Sequence, residues 1–194
     1  MENDLLLHDA IPMDAPFIAR VVLAGIDMLA IDAEAADEQK PVLEYLMDIC
    51  RMDDTLYSYK HTRIAELGGK VVGALIGYDG ARYAEMRTKT FNLVQQTSGL
   101  DLSKNAMETG SGEYYLDSMA ILPEYRGRKI GLLLIRDRMD WAKHNGFEAV
   151  TLLVDKDKQH LQRYYESLGF AFSEEMFVFG AWYRKLVCVV SVIP

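Results

Sequence analysis

The densest positive charge in the chain is the loop EYRGRK, where Arg126, Arg128 and Lys129 surround Gly127. The chain as a whole carries a net charge of -8, so this basic cluster runs against its surroundings. Before it lies an apolar, β-prone run from Tyr114 to Leu122, which Pro123 ends by withholding a backbone donor. After it, Gly131, Leu134, Ile135, Met139 and Ala142 recur at intervals of three and four, the spacing of one buried helical stripe. A cationic loop that opens a helix is built to take an anion. The first-turn N–H groups have no intrahelical partner, and the helix dipole adds partial positive charge at the same end. The arrangement predicts a phosphate-bearing ligand. The common nucleotide-binding patterns do not account for it: G-x-x-x-x-G-K-[ST] is absent, and no G-x-G-x-x-G follows a strand.

Length and composition bound what can surround this loop. At 194 residues and 22.0 kDa the chain reads as one domain, 1–194, able to bury about two-thirds of its unfolded surface. Half the residues are hydrophobic and 26% are charged, which argues against disorder. No apolar run reaches the roughly 18 residues of a membrane span. The segment MENDLLLHD has acid where a signal peptide has base, and Cys50 and Cys188 form neither a metal spacing nor a disulfide framework. A cytoplasmic protein without a metal is expected. The pI near 5.0 argues against nucleic acid as a partner and leans towards a cationic small molecule.

In order, Leu5–Leu7 opens as a strand and Pro12 and Asp14 start a helix. The acidic stretch 31–40 is a loop or the start of a second helix over Pro41–Met52. Two β-rich runs, Thr62–Leu67 and Lys70–Gly77, flank Gly68-Gly69, a hairpin signal because a type I′ turn needs positive φ twice. Tyr83–Gln96 has helical spacing and begins an insertion over about 80–112, of a length found in lids and substrate walls. Ala149–Val154 reads as a buried strand, Lys158–Leu168 as a helix, and Phe170–Phe179 and Trp182–Val190 as strands. The fold class is mixed α/β.

This order, together with two motifs, resembles the GNAT superfamily of N-acetyltransferases. PEYRGRKIG supplies Pro123, Arg126, Gly127, Ile130 and Gly131 in the frame of that family's Arg/Gln-x-x-Gly-x-Gly/Ala motif. YYESLGF supplies Tyr165, Glu166, Leu168, Gly169 and Phe170 in the frame of its second motif. The element order matches over nearly the whole chain, and residues 119–134 and 158–170 carry the specific matches. Two positions depart. Lys129 stands where Gly is usual, and Lys158 where Asn is common. With a helical φ, Lys129 would keep its backbone N–H and add a charge within reach of a phosphate.

The resemblance implies a twisted, mostly antiparallel sheet of about seven strands, helices on both faces and a splayed central strand pair. It implies acetyl-CoA as donor and direct transfer to an amine. Backbone N–H groups over Gly127, Arg128, Lys129, Ile130, Gly131 and Leu132 would receive the pyrophosphate beside the Arg126 charge. Met119, Ala120 and Ile121 would pair with the pantetheine arm, with the Ile121 N–H polarising the thioester carbonyl. Tyr165 would be the acid for the departing thiolate and Lys158 a neighbour of the coenzyme arm. Asp117 is the candidate base, with Glu113 further out on the same strand face and Tyr83 and Tyr115 candidates to line the acceptor side. The rival expectation is a catalytically silent acyl-CoA-binding module on the same fold. The long apolar C-terminal strand, Leu186–Ile193, predicts an edge that a second copy would cover, giving a homodimer.

Overall fold

The hairpin at the front of the sheet forms because Gly68 and Gly69 adopt φ of 59° and 80°, the pair of positive values its tight turn requires. A computed structural model describes residues 4–190. Its strands are β1 (Leu5–Asp9), β2 (Thr62–Leu67), β3 (Lys70–Asp79), β4 (Glu113–Ile121), β5 (Ala149–Asp155), β6 (Ala171–Val178) and β7 (Ala181–Val189). Its helices are α1 (Ala15–Gly25), α2 (Lys40–Arg51), α3 (Tyr83–Ser98), α4 (Ile130–His144) and α5 (Gln159–Glu166). The strand order is β1-β2-β3-β4-β5-β7-β6. β1–β2, β2–β3, β5–β7 and β6–β7 pair antiparallel, and β4–β5 is parallel. This is a mixed α/β fold on a mostly antiparallel seven-stranded sheet, as expected. The stretch 31–39 resolves as turns ahead of α2.

The chain divides into two compact units, one of residues up to Gly77 with Ser118–Arg138, the other of Tyr78–Asp117 with residues from Met139 on. In the first, α1 buries Ile18, Ala19, Val21 and Val22, and Gly25 brings it close to β4. A Cβ at Gly25 would meet the Ser118 hydroxyl at 3.1 Å, and one at Gly131 would meet the Met119 methyl at 3.3 Å. Successive side chains of a strand point to opposite faces. Ser118 therefore turns towards α1 and Met119 towards the start of α4, and the two helices cover opposite faces of this part of β4. Gly73 on β3 leaves room for the Ile121 side chain. Of the stripe read from the sequence, Leu134, Ile135 and Ala142 are fully buried.

The second unit packs Val150, Leu152, Val154, Phe170, Val178 and Leu186 in its core. Tyr114, Trp141 and Phe147 form an aromatic group with centroids 5.2–5.9 Å apart. The Lys185 ammonium lies 2.9 Å from both Glu113 oxygens, and Glu113 also accepts from the hydroxyls of Thr109 (2.7 Å) and Thr151 (3.2 Å). The edge assigned to the last strand is not there. β7 lies between β5 and β6, so its backbone groups are paired on both sides and β6 is the outer strand. The non-local pairing of β7 with β5 removes the basis for a dimer along Leu186–Ile193, of which 191–193 lie outside the described residues. No described helix is long and apolar enough to cross a membrane.

Candidate active site

β4 hands the chain to α4 through a tight cationic turn. A 3-10 turn over Pro123–Tyr125 leads to Gly127 at φ 75° and Lys129 at φ 62°, and the Lys129 carbonyl accepts the Leu133 N–H at 3.0 Å. The sequence-based condition for Lys129, a helical φ, is not met. The residue sits in the left-handed region that glycine occupies freely and lysine does not. That explains why Gly is usual in this motif position and marks Lys129 as strained.

The three cations of the loop differ in their surroundings. Arg126 Nε donates back to the Ile121 carbonyl at 3.2 Å, and the Arg128 guanidinium lies over the Tyr125 ring at 5.3 Å. Lys129 is exposed and forms no ion pair with a described residue. The loop fits a coenzyme phosphate. A Cβ at Gly127 would meet nothing within 4 Å, so the space over the backbone is open, while Ile130 is buried and anchors the helix start beneath it. Replacing Lys129 with Gly is expected to relieve about 1 kcal/mol of backbone strain and raise Tm by about 2–4 °C. The same change should weaken stabilisation by acetyl-CoA and flatten its salt dependence, read by thermal melts at two ionic strengths. A fall in Tm would show that Lys129 is not strained.

β4 carries the remaining residues that the resemblance assigns to the donor side. Its parallel register with β5 runs from Glu113 to Leu116, and Met119, Ala120 and Ile121 lie beyond the end of that register. They are half-buried, and the side chains of Met119 and Ile121 border Gly131. In the first unit, Met119, Ala120, Ile121, Arg126, Gly127, Ile130 and Gly131 thus come together around one turn.

The second unit holds the other candidates. Tyr165 lies on α5 and is half-buried, with Tyr164 and Phe170 against its ring at 5.4 and 5.7 Å. Its hydroxyl makes no hydrogen bond among the described residues, and burial, with the neighbouring Tyr164, pushes its pKa up to about 12. Lys158 precedes α5 without capping it through its side chain, and its carbonyl accepts the Leu161 N–H at 2.9 Å. Asp117 is half-exposed and accepts the Tyr78 hydroxyl at 2.7 Å. Glu113 is bound into the Lys185 cluster instead. Its carboxyl is raised by burial but held below its ordinary value by Lys185 and the threonine hydroxyls.

One acid escapes sequence reasoning. Glu108, in the insertion, is 8% exposed and accepts the Tyr83 and Tyr115 hydroxyls, each at 2.6 Å. Those tyrosines and Tyr78 form a triad with centroids 5.7–6.4 Å apart. The only signal was indirect: a long polar insertion followed by a tyrosine-rich strand. Among the described residues no group of three or more His, Cys, Asp or Glu side chains could hold a metal.

A family model described as acetyltransferase (GNAT) family matches residues 27–170. The chain belongs to the GNAT family of acetyltransferases. No curated protein sequence matches it. Among solved structures it is similar to an acetyltransferase at 27% identity and TM-score 0.74, over 95% of this chain and 99% of that one. It is similar to an N-acetyltransferase from Staphylococcus aureus Mu50 at 23% identity and TM-score 0.76, over 94% and 99%. It also shares its fold with the NatC complex bound to Gag peptide and CoA, at 13% identity and TM-score 0.55, over 96% and 98%. The GNAT assignment makes the chain an acyltransferase.

Proposed function

We propose that this GNAT protein moves the acetyl group of acetyl-CoA directly to a primary amine of a small molecule or peptide. The observation that carries the reading is the turn at the start of α4, with Gly127 and Lys129 at positive φ in the frame of the family motif. In this reading the N–H groups from Gly127 to Leu132 hold the pyrophosphate, with Arg126, Arg128 and Lys129 as charged neighbours. Met119 and Ala120 align the pantetheine arm through their backbones. The Ile121 N–H donates to the thioester oxygen as charge develops there, worth about 2–4 kcal/mol. Lys158 sits beside the coenzyme arm.

The proton account closes on two side chains. Asp117 takes one proton from the acceptor's ammonium. The freed amine forms the new C–N bond while the C–S bond breaks, and Tyr165 gives its proton to the departing sulfur. The nitrogen sheds its second proton to solvent, from which Tyr165 is recharged, and Asp117 releases its own. One proton is released overall. A Tyr165 held at about 12 is fully protonated at neutral pH and so is ready to act. The two unpaired thiols, Cys50 and Cys188, suit a reducing cytoplasm.

Thiol release from acetyl-CoA across a panel of primary amines tests the reading, with melting curves in millimolar acetyl-CoA alongside. A rise in Tm and amine-dependent release are expected. A rise in Tm with no release on any amine would instead make the chain a silent coenzyme-binding module.

A further inference from the structure

The insertion brings a second carboxylate, Glu108, to the tyrosine cluster that also holds the candidate base. Glu108 and Asp117 are bound to one tyrosine triad, Glu108 through Tyr83 and Tyr115, Asp117 through Tyr78. The triad comes from three separate elements, β3, α3 and β4, and Tyr78, Tyr83 and Tyr115 are all essentially buried. Each phenol spends its proton on a carboxylate. Their own pKa values are raised far above the ordinary range by burial and by the two acids, so they remain donors throughout the working pH range. The two acids differ in access. Glu108 is sealed, whereas Asp117 is half-exposed.

Resting on the acetyltransferase reading above, we propose that Glu108 is a positioning residue for Asp117. In this proposal the buried carboxylate and its tyrosines aim the base and make its surroundings select an acceptor that arrives as an alkylammonium cation. The charged and titratable groups facing the pair are Tyr78 from β3, Tyr83 and Arg87 from α3, and Tyr115 from β4. Arg87 offsets part of the negative charge at Glu108, yet its Nη2 is directed at the carbonyls of Leu102, Ser103 and Asn105. Burial and the Asp117 charge raise the Glu108 pKa, against the two tyrosine hydroxyls that lower it. The interaction is mutual, so the Glu108 charge is part of the electrostatic surroundings of Asp117. A base must hold its proton firmly enough to take one from an ammonium, and a lone exposed aspartate does so poorly.

The test is the pH dependence of kcat/KM for a primary alkylamine. Glu108→Gln removes a like charge and is expected to move the acidic limb to lower pH by about one unit. It should also raise KM for the alkylamine several-fold and leave stabilisation by acetyl-CoA unchanged. Tyr78→Phe removes the donor to Asp117 and keeps the Glu108 charge, so it should move the limb the opposite way. Carboxyl NMR titration of the wild-type chain needs no variant. Glu108 should titrate above the ordinary carboxylate range, with its titration coupled to that of Asp117. An unmoved limb in Glu108→Gln, or two independent titrations at ordinary values, overturns this proposal and leaves the acetyltransferase reading intact. Absence of thiol release by the wild type would overturn that reading instead, and the NMR titration would still decide whether the pair is coupled.

Discussion

Replacing Tyr165 with phenylalanine is expected to lower kcat about a hundredfold or more, with little change in the stabilisation given by acetyl-CoA. The structure makes this a clean substitution. The Tyr165 hydroxyl makes no hydrogen bond among the described residues, so its removal leaves no partner unsatisfied. The ring contacts with Tyr164 and Phe170 survive in phenylalanine. Loss of folding therefore cannot stand in for loss of the acid. The pH profile sharpens the point. Burial, with Tyr164 beside it, pushes the Tyr165 pKa up from the ordinary tyrosine value near 10 to about 12. A group whose pKa is raised on folding stabilises the fold below its unfolded value and loses that contribution as pH rises through the folded one. For Tyr165 the window is pH 10 to 12, so an acid-catalysed kcat should hold through pH 9. Single-turnover thiol release separates the outcomes: an unchanged kcat in Tyr165→Phe removes the tyrosine from the chemistry.

What the sequence discloses about this site follows from how local each signal is. Gly68-Gly69, the PEYRGRKIG turn and the YYESLGF phrase are short, and their physics is contained within a few residues; all three lie where expected. The spacing of Leu134, Ile135 and Ala142 likewise names the buried side of α4. The misreadings are non-local or conformational. The end of α1 at Gly25 is conformational: Asp27 turns to φ 56° and Ile26 is exposed, although apolar residues continue past it in the sequence. Lys129 carries no sign in its letter that its φ is positive. β7 looked like an edge because nothing in sequence order shows that it, and not β6, pairs with β5. Glu108 is the extreme case. Its partners are 25 residues before it and seven after it, on different elements, and no periodicity relates them.

Glu113→Ala is expected to destabilise the fold by about 3–5 kcal/mol, enough to lower Tm by roughly 10 °C. The reason is the partner it leaves behind. Lys185 sits on β7 with strands on both sides and is only 8% exposed, and Glu113 is the acid its ammonium reaches. Without it, a charge stays buried with no counter-ion, and the Thr109 and Thr151 hydroxyls lose their acceptor. The double variant Glu113→Ala with Lys185→Met should recover most of the loss, since removing both charges is often close to neutral. If the single variant melts with the wild type, the pair is not holding the unit together. The pH dependence has a fixed sign. The Glu113 carboxyl is held below its ordinary value in the folded state, so its contribution is present above about 4.5 and disappears as pH falls through the folded value. Denaturant titrations down to pH 3 should show wild-type stability falling more steeply than that of Glu113→Ala. The acidic limb of kcat/KM should not move in the same variant. The two neighbouring acids of this chain would then be told apart by experiment, Glu113 by melting and Glu108 by rate.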